Sequence, residues 1–143
     1  MLFRSGFKLF ARKTYKPHRL SYKGKIYVLT GGATFSATSM LLASLKGLPN
    51  VTIVGEETGG GNYGNNGVFI PDLVLPNSRL RIRLPLYRII NNHSFPNNGR
   101  GVTPDIEVRA NAESIRRSRD VKMEKAEALI REGLRSTLKN TRP

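Results

Sequence analysis

A serine stands where a strand pattern gives way to a helix pattern, a position from which a hydroxyl can act as a nucleophile. Ser36 lies in the stretch T-F-S-A-T-S at residues 34–39. A helix N-terminus leaves backbone N–H groups unpaired, and its partial positive charge favours a developing oxyanion by about 0.3–1 kcal/mol. Ser36 is therefore a candidate nucleophile, and the N–H of Ala37 is a candidate donor to the oxyanion. The alternative is an ordinary helix cap, because Ser and Thr are preferred there.

A second stretch, G-G-G-N-Y-G at residues 59–64, matches the G-x-G-x-x-G of a dinucleotide-binding loop. Such a loop needs its third glycine to open a helix and an acidic residue about twenty positions further on. Here Asn and Gly residues follow, then a strand pattern interrupted by Pro71, and no acid stands at the required distance. We therefore expect no nucleotide and no other cofactor at this loop.

A third stretch, G-V-T-P-D-I-E-V at residues 101–108, predicts a turn that enters an edge strand. Its two acids, Asp105 and Glu107, alternate around Ile106 and so point to the same side. No third ligand stands nearby in the sequence, and we therefore expect no metal site.

The elements that position these motifs alternate between strand and helix. Residues 25–30 (K-I-Y-V-L-T) and 51–55 (V-T-I-V-G) predict buried strands, and the apolar residues between Thr34 and Leu48 predict a helix closed by Gly47 and Pro49. Strand, helix and strand in this order predict a βαβ unit with parallel strands. A loop follows at 59–67, and then a β-meander at residues 67–70, 73–75 and 80–84.

Two amphipathic patterns predict which faces are buried. On residues 80–84, we expect one face of the strand to be cationic and solvated and the other to face the core, with Arg79, Arg81 and Arg83 outside and Leu80, Ile82 and Leu84 inside. Residues 120–134 predict a helix with Asp120 as N-cap and one face formed by Met123, Glu127, Ile130 and Leu134, with Ala126 beside them.

The charge of the chain is concentrated at its ends. The 143 residues include no cysteine and carry a formal net charge of +14. Of this, residues 1–25 carry +8, residues 26–107 carry +1 and residues 108–143 carry +5. Because the candidate site lies in the nearly neutral middle, we expect no nucleic-acid partner. The absence of cysteine excludes disulfides and thiol nucleophiles, and the longest apolar run is far too short to span a membrane.

Taken in order, the motifs resemble those of the C-terminal processing (tail-specific) serine peptidases. The resemblance covers about residues 22–108 and rests on K-G-K-I-Y-V-L-T, T-F-S-A-T, V-T-I-V-G-E-E-T-G-G-G, L-P-N-S-R-L-R-I-R-L-P and G-V-T-P-D-I-E-V. It implies a partial crotonase-like (ClpP-like) spiral α/β core of βαβ type, with a β-meander and a C-terminal helix, that acts on polypeptides. It places Ser36 as the nucleophile, with Gly59, Gly60 and Gly61 beside the substrate cleft. Relatives are usually exported, whereas this chain shows no signal peptide.

The general base is the point at which the chain departs from the processing branch. That branch uses a lysine where this chain has Gly61, and no lysine occurs between Gly47 and Val121. Lys46 lies about 15 Å along the helix axis from Ser36, too far for proton transfer. The chain resembles instead the tricorn-core-like branch, in which a histidine upstream of the matched region serves as base.

Within the chain, the candidates for this role come from one loop. His93 is the candidate base, with a surface-loop histidine as the alternative reading. Asn98 stands where that branch has an acid that supports the histidine, and an amide can still orient an imidazole.

We expect three segments, namely a basic N-terminal segment (1–21), the C-terminal half of a peptidase core (22–110) and a helical segment with a basic tail (111–143). The first thirteen residues alternate apolar and basic residues, as a presequence or a membrane-surface helix does. We interpret them as an irregular part of a larger fold.

Nothing in residues 1–24 resembles the family's D-x-R-x-N-x-G-G strand. The expected function is therefore a truncated or split serine peptidase, weakly active or inactive alone, whose partner is a missing N-terminal half or a second copy. The alternatives are a non-catalytic polypeptide-binding module and, third, a basic nucleic-acid binder.

Overall fold

The computed structural model describes residue 16, residues 18–91 and residues 96–140. Within these residues the chain forms seven strands and three helices. The strands are β1 (Ile26–Thr30), β2 (Val51–Gly55), β3 (Gly64–Asn65), β4 (Asp72–Val74), β5 (Arg81–Arg83), β6 (Ile89–Ile90) and β7 (Ile106–Glu107). The helices are α1 (Ser36–Leu45), α2 (Ala112–Arg116) and α3 (Val121–Asn140). None of the helices in this part of the chain is long and apolar enough to cross a membrane.

A parallel sheet with strand order β1-β2-β7 forms the centre of the molecule. Ile26 pairs with Val51 and Thr30 with Gly55, which confirms the predicted parallel βαβ unit. Ile53 and Val54 are both fully buried although successive side chains of a strand point to opposite faces, so β2 is covered on both faces. On one face the core consists of Leu42, Ala43, Ile53 and Val102, with Val28 and Val51 packed against it.

Helix α1 ends earlier than the sequence predicts. The N–H of Lys46 still donates to the carbonyl of Leu42, at 2.9 Å, but the ψ angle of Lys46 is 127° and the chain leaves the helix there. Gly47 follows with a φ of +86°, the left-handed conformation that glycine adopts at no steric cost. The helix therefore ends at Leu45 and does not reach Leu48.

The predicted apolar face of the C-terminal helix is wrong, although its cap is confirmed. Asp120 Oδ1 accepts hydrogen bonds from the N–H groups of Lys122 and Met123, at 3.1 and 3.0 Å. Helix α3 packs on β1 and β2, but the buried side chain is Ala126, while Met123, Ile130 and Leu134 are 47%, 44% and 59% exposed. A helix of 20 residues is about 30 Å long, almost twice the length of these five-residue strands, so much of α3 extends past the sheet.

The predicted inward face of the meander is also wrong. Strands β4 and β5 pair only with each other, in a two-stranded ribbon. Leu80, Ile82 and Leu84 are 63%, 42% and 49% exposed, because no other layer covers the ribbon in the described part of the chain. Residues 67–70 form no strand, whereas the unpredicted strands β3 and β6 pair with each other. Strands of two residues are too short to show a period in the sequence.

Asp105 joins the end of α1 to the sheet. Its Oδ2 accepts a hydrogen bond from the N–H of Ile53 and its own N–H donates to the carbonyl of Ile53, both at 2.8 Å. Its Oδ1 forms an ion pair with Lys46, whose Nζ also donates to the carbonyl of Thr103 at 2.9 Å. Burial raises the pKa of the Asp105 carboxyl, but the hydrogen bonds from Lys46 and Ile53 and the charge of Lys46 outweigh it, so that the pKa lies below 3.8.

We expect Asp105→Ala to lower the free energy of unfolding at pH 7 by about 1–3 kcal/mol, because the N–H of Ile53 loses its acceptor. A carboxyl whose pKa is lower in the folded state stabilises the protein above its unfolded pKa and loses this effect as pH falls through the folded pKa. The gap between wild type and variant, measured by urea unfolding, should therefore narrow below about pH 4. Asp72→Ala, which removes an exposed carboxylate, is the control. A gap as wide at pH 3 as at pH 7 would contradict the assignment.

Candidate active site

A tight turn between β1 and α1 carries Ser36. The N–H of Thr34 donates to the carbonyl of Gly31 at 2.9 Å. The Thr34 hydroxyl in turn accepts from the N–H of Gly31 and from the hydroxyl of Thr30, both at 3.3 Å. The turn is thus closed by its own polar groups, and Ser36 lies exposed as the first residue of α1.

The backbone of Ser36 is strained. Phe35 is extended, with φ −128° and ψ 172°, whereas Ser36 has a φ of +52°. A residue other than glycine in the left-handed region costs about 1–3 kcal/mol, and such residues cluster at functional sites. Among the described residues, the other non-glycine examples are Arg79 and Ser118, both outside this turn. The sequence contains no signal for this conformation, because serine does not prefer it.

The first turn of α1 leaves the N–H of Ala37 without an acceptor among the described residues. The N–H groups of Thr38 and Ser39 both point to the carbonyl of Phe35, at 3.2 and 3.5 Å. In the part of the chain that the structure describes, neither the N–H of Ala37 nor Ser36 Oγ forms a hydrogen bond, and both residues are exposed. A hydroxyl and an unpaired N–H on adjacent residues are the geometry that attack on a carbonyl and binding of its oxyanion require.

The glycines at 59 and 60 pack directly against this turn. A Cβ at Gly59 would overlap the carbonyl oxygen of Gly32 and the ring of Phe35. A Cβ at Gly60 would overlap the hydroxyl of Ser39 and lie 2.9 Å from Phe35 Cα. The N–H of Gly60 donates to the carbonyl of Thr34 at 2.9 Å. The two glycines are therefore needed for the close approach of the loop to the turn that carries Ser36. That they border a substrate cleft stays a prediction.

The buried Thr58 and the partly buried Glu57 hold the glycine loop against the segment that begins at Gly101. The hydroxyl of Thr58 accepts from the N–H of Val102 and donates to the carbonyl of Gly60, both at 2.7 Å. Glu57 accepts from the N–H of Gly101 at 2.7 Å and forms an ion pair with Arg100. Sequence reasoning missed both residues, because their partners lie more than 40 positions away.

Three predicted site residues remain, namely Gly61, Asn98 and His93. Gly61 forms an isolated antiparallel bridge with Gly101, at the far end of the glycine loop. Asn98 is exposed, and its Oδ1 accepts from the N–H of Arg100 at 3.1 Å, so this oxygen closes a turn within its own loop. His93 lies outside the described residues. Within those residues, no group of three or more His, Cys, Asp and Glu could hold a metal ion.

A groove is linked to the neighbourhood of Ser36 through Gly67. The groove has a volume of about 450 Å³ and is lined by Gly64, Asn65, Asn66, Pro85, Leu86, Tyr87 and Arg88. The guanidinium of Arg88 lies 5.0 Å above the ring of Tyr63. Asn65 Oδ1 also accepts from the N–H of Gly67 at 3.1 Å, and a Cβ built at Gly67 would lie 3.9 Å from Ser36 Oγ. Ser36 and Gly67 do not themselves line the groove.

We expect Gly60→Ala to lower the free energy of unfolding by about 1–3 kcal/mol, because the added methyl group overlaps the Ser39 hydroxyl and crowds Phe35. Gly32→Ala is the matched control, since a Cβ there has no heavy atom within 4 Å, and we expect a change within about 0.5 kcal/mol. Urea unfolding of the two variants checks the difference. Equal losses in both would show that the loop does not approach the turn as closely as described.

Comparison with known proteins gives a family and several solved structures, one of which is described here. Residues 5–108 match the sequence model of peptidase family S41. No curated protein matches the sequence. The chain is 28% identical to a “putative peptidase” from Parabacteroides merdae ATCC 43184, with a TM-score of 0.48, over 73% of this chain and 31% of that one. The chain thus spans about a third of the length of that protein.

Proposed function

Since the chain belongs to peptidase family S41, we propose that it carries the nucleophile of a serine-type peptidase that hydrolyses polypeptides. The observation that carries the proposal is the exposed Ser36, which combines a φ of +52° with an unpaired neighbouring N–H among the described residues. This strained backbone presents the hydroxyl at the entrance to a helix, next to a groove.

In the proposed reaction, Ser36 Oγ attacks the carbonyl carbon of the scissile amide while a general base takes the hydroxyl proton. The carbonyl oxygen becomes an oxyanion, to which the N–H of Ala37 donates. The base then gives its proton to the leaving amine, and water hydrolyses the acyl-serine ester by the reverse sequence. The proposed base is a group outside this chain, with His93 as the second choice.

The groove beside Ser36 is the proposed site of the polypeptide. It is lined by β3 and by the segment that leads into β6, and Asn65 connects it to Gly67, the residue that approaches the Ser36 hydroxyl. The glycine loop, Gly59 to Gly61, packs against the turn that carries Ser36. A substrate strand would lie against exposed backbone here, which suits a polypeptide better than a small molecule.

We further propose that the chain is the C-terminal half of a crotonase-like spiral core of the tricorn-core-like branch. The support for the branch is Gly61, which stands in place of the processing-branch lysine. The exposed leucines of the β4–β5 ribbon favour the same view, since a longer chain or a second subunit would cover them. Alone, the chain is expected to have little activity.

A fluorophosphonate probe tests the nucleophile. We expect Ser36→Ala to abolish labelling and to lower any peptide hydrolysis by about 10³-fold or more, because the acyl acceptor is lost. Ser44→Ala, which removes an exposed hydroxyl from the same helix, should label as wild type does. Equal labelling of Ser36→Ala and wild type would overturn the assignment. Efficient hydrolysis by the isolated chain would overturn the half-core proposal.

A non-catalytic polypeptide-binding module is the second candidate. Two observations favour it, namely Gly61 in place of the lysine and the use of Asn98 Oδ1 within its own turn. Peptide binding to the chain in fluorescence anisotropy, without any labelling of Ser36 by the probe, is the result expected of such a module.

A further inference from the structure

Ser39 is a buried polar residue for which peptide-bond chemistry has no direct use. It is 1% exposed and lies among the most deeply buried side chains of the described residues, beside Leu42, Ile53 and Val54. A buried hydroxyl must form a hydrogen bond to offset its desolvation. Ser39 Oγ donates to the carbonyl of Ser36 at 2.9 Å, one helical turn back.

Gly60 limits the space that is available to the Ser39 hydroxyl. Gly60 lies so close that a Cβ there would overlap Ser39 Oγ and approach Ser39 Cβ to 3.0 Å. The N–H of Ser39 is itself 3.5 Å from the carbonyl of Phe35, a long contact that holds the first turn weakly. The hydroxyl therefore provides the tighter link between Ser39 and the start of the helix.

Both sides of the Ser36 Cα are held from outside. On the N-terminal side, Gly59 and Gly60 pack on Phe35, and the N–H of Gly60 donates to the carbonyl of Thr34 at 2.9 Å. On the C-terminal side, the hydroxyl of Ser39 holds the carbonyl of Ser36. The φ and ψ angles of Ser36 are the rotations that lie between these two held groups, so the positions of the groups together constrain the φ of +52°.

We infer that Ser39 is a positioning residue that keeps the backbone of Ser36 in its left-handed conformation, with Gly60 leaving the space for its hydroxyl. Such backbone strain persists only where the surroundings over-determine the backbone, and Ser39 supplies that constraint from the buried side. Its effect on the reactivity of the Ser36 hydroxyl rests on the proposed function. Its effect on the backbone does not.

The test uses the full chain labelled with ¹⁵N and reads the three-bond HN–Hα coupling of Ser36, which reports φ directly. We expect Ser39→Ala to move this coupling to the value of a right-handed helix and to slow fluorophosphonate labelling of Ser36 about 10- to 100-fold. Ser44→Ala is the matched control, because Ser44 Oγ makes the same kind of bond, 3.0 Å to the carbonyl of Met40, on the exposed side of α1. It should change neither quantity.

The methyl group of Gly60→Ala displaces the Ser39 hydroxyl, so this variant should move the Ser36 coupling in the same direction. It tests the same inference if Ser39→Ala does not fold. An unchanged coupling in the folded variants overturns the inference. A changed coupling with an unchanged labelling rate overturns the role of Ser39 in reactivity. If wild-type Ser36 does not label at all, the coupling alone still decides whether Ser39 holds the backbone.

Discussion

Two backbones that approach each other without side chains between them define the centre of this protein. Gly59 and Gly60 lie against Gly32 and Phe35, at distances that a Cβ could not occupy. The approach is stabilised by the hydrogen bond from Gly60 to Thr34, at 2.9 Å, across the gap between the loop and the turn. The burial of the Ser39 hydroxyl follows from this contact, because Gly60 packs directly against it, and the same glycines hold Phe35, the residue before the strained Ser36.

Buried and half-buried polar groups connect this contact to the sheet, and each has its partner. The Thr58 hydroxyl bridges Val102 and Gly60, and the Glu57 carboxylate receives the N–H of Gly101. Asp105 makes the corresponding connection at the other end, between β2 and the last turn of α1. A buried polar group without a partner is costly, whereas a paired one adds little net stability. These hydrogen bonds therefore act mainly by specifying how the segments fit together.

The buried apolar side chains and the exposed ones lie on different elements. The inward residues of β1, β2 and α1 form a small buried cluster, whereas the ribbon of β4 and β5 exposes its leucines and isoleucine. A two-stranded ribbon has little stability of its own in water, and no layer in the described part of the chain covers these side chains.

The sequence by itself determined the local elements: the strands at 26–30 and 51–55, the helix between them and the Asp120 cap follow from short-range patterns that each segment carries alone. It also placed Ser36 at the start of a helix and predicted an α/β chain of a peptidase family, because the residues of each motif are adjacent in the sequence. Only the tertiary structure decided which faces of α3 and β5 are covered, that Glu57 meets Gly101, and that Ser36 adopts a left-handed backbone over a buried Ser39. The reason is that these features depend on contacts between distant segments, and no residue involved has a local preference that would reveal them.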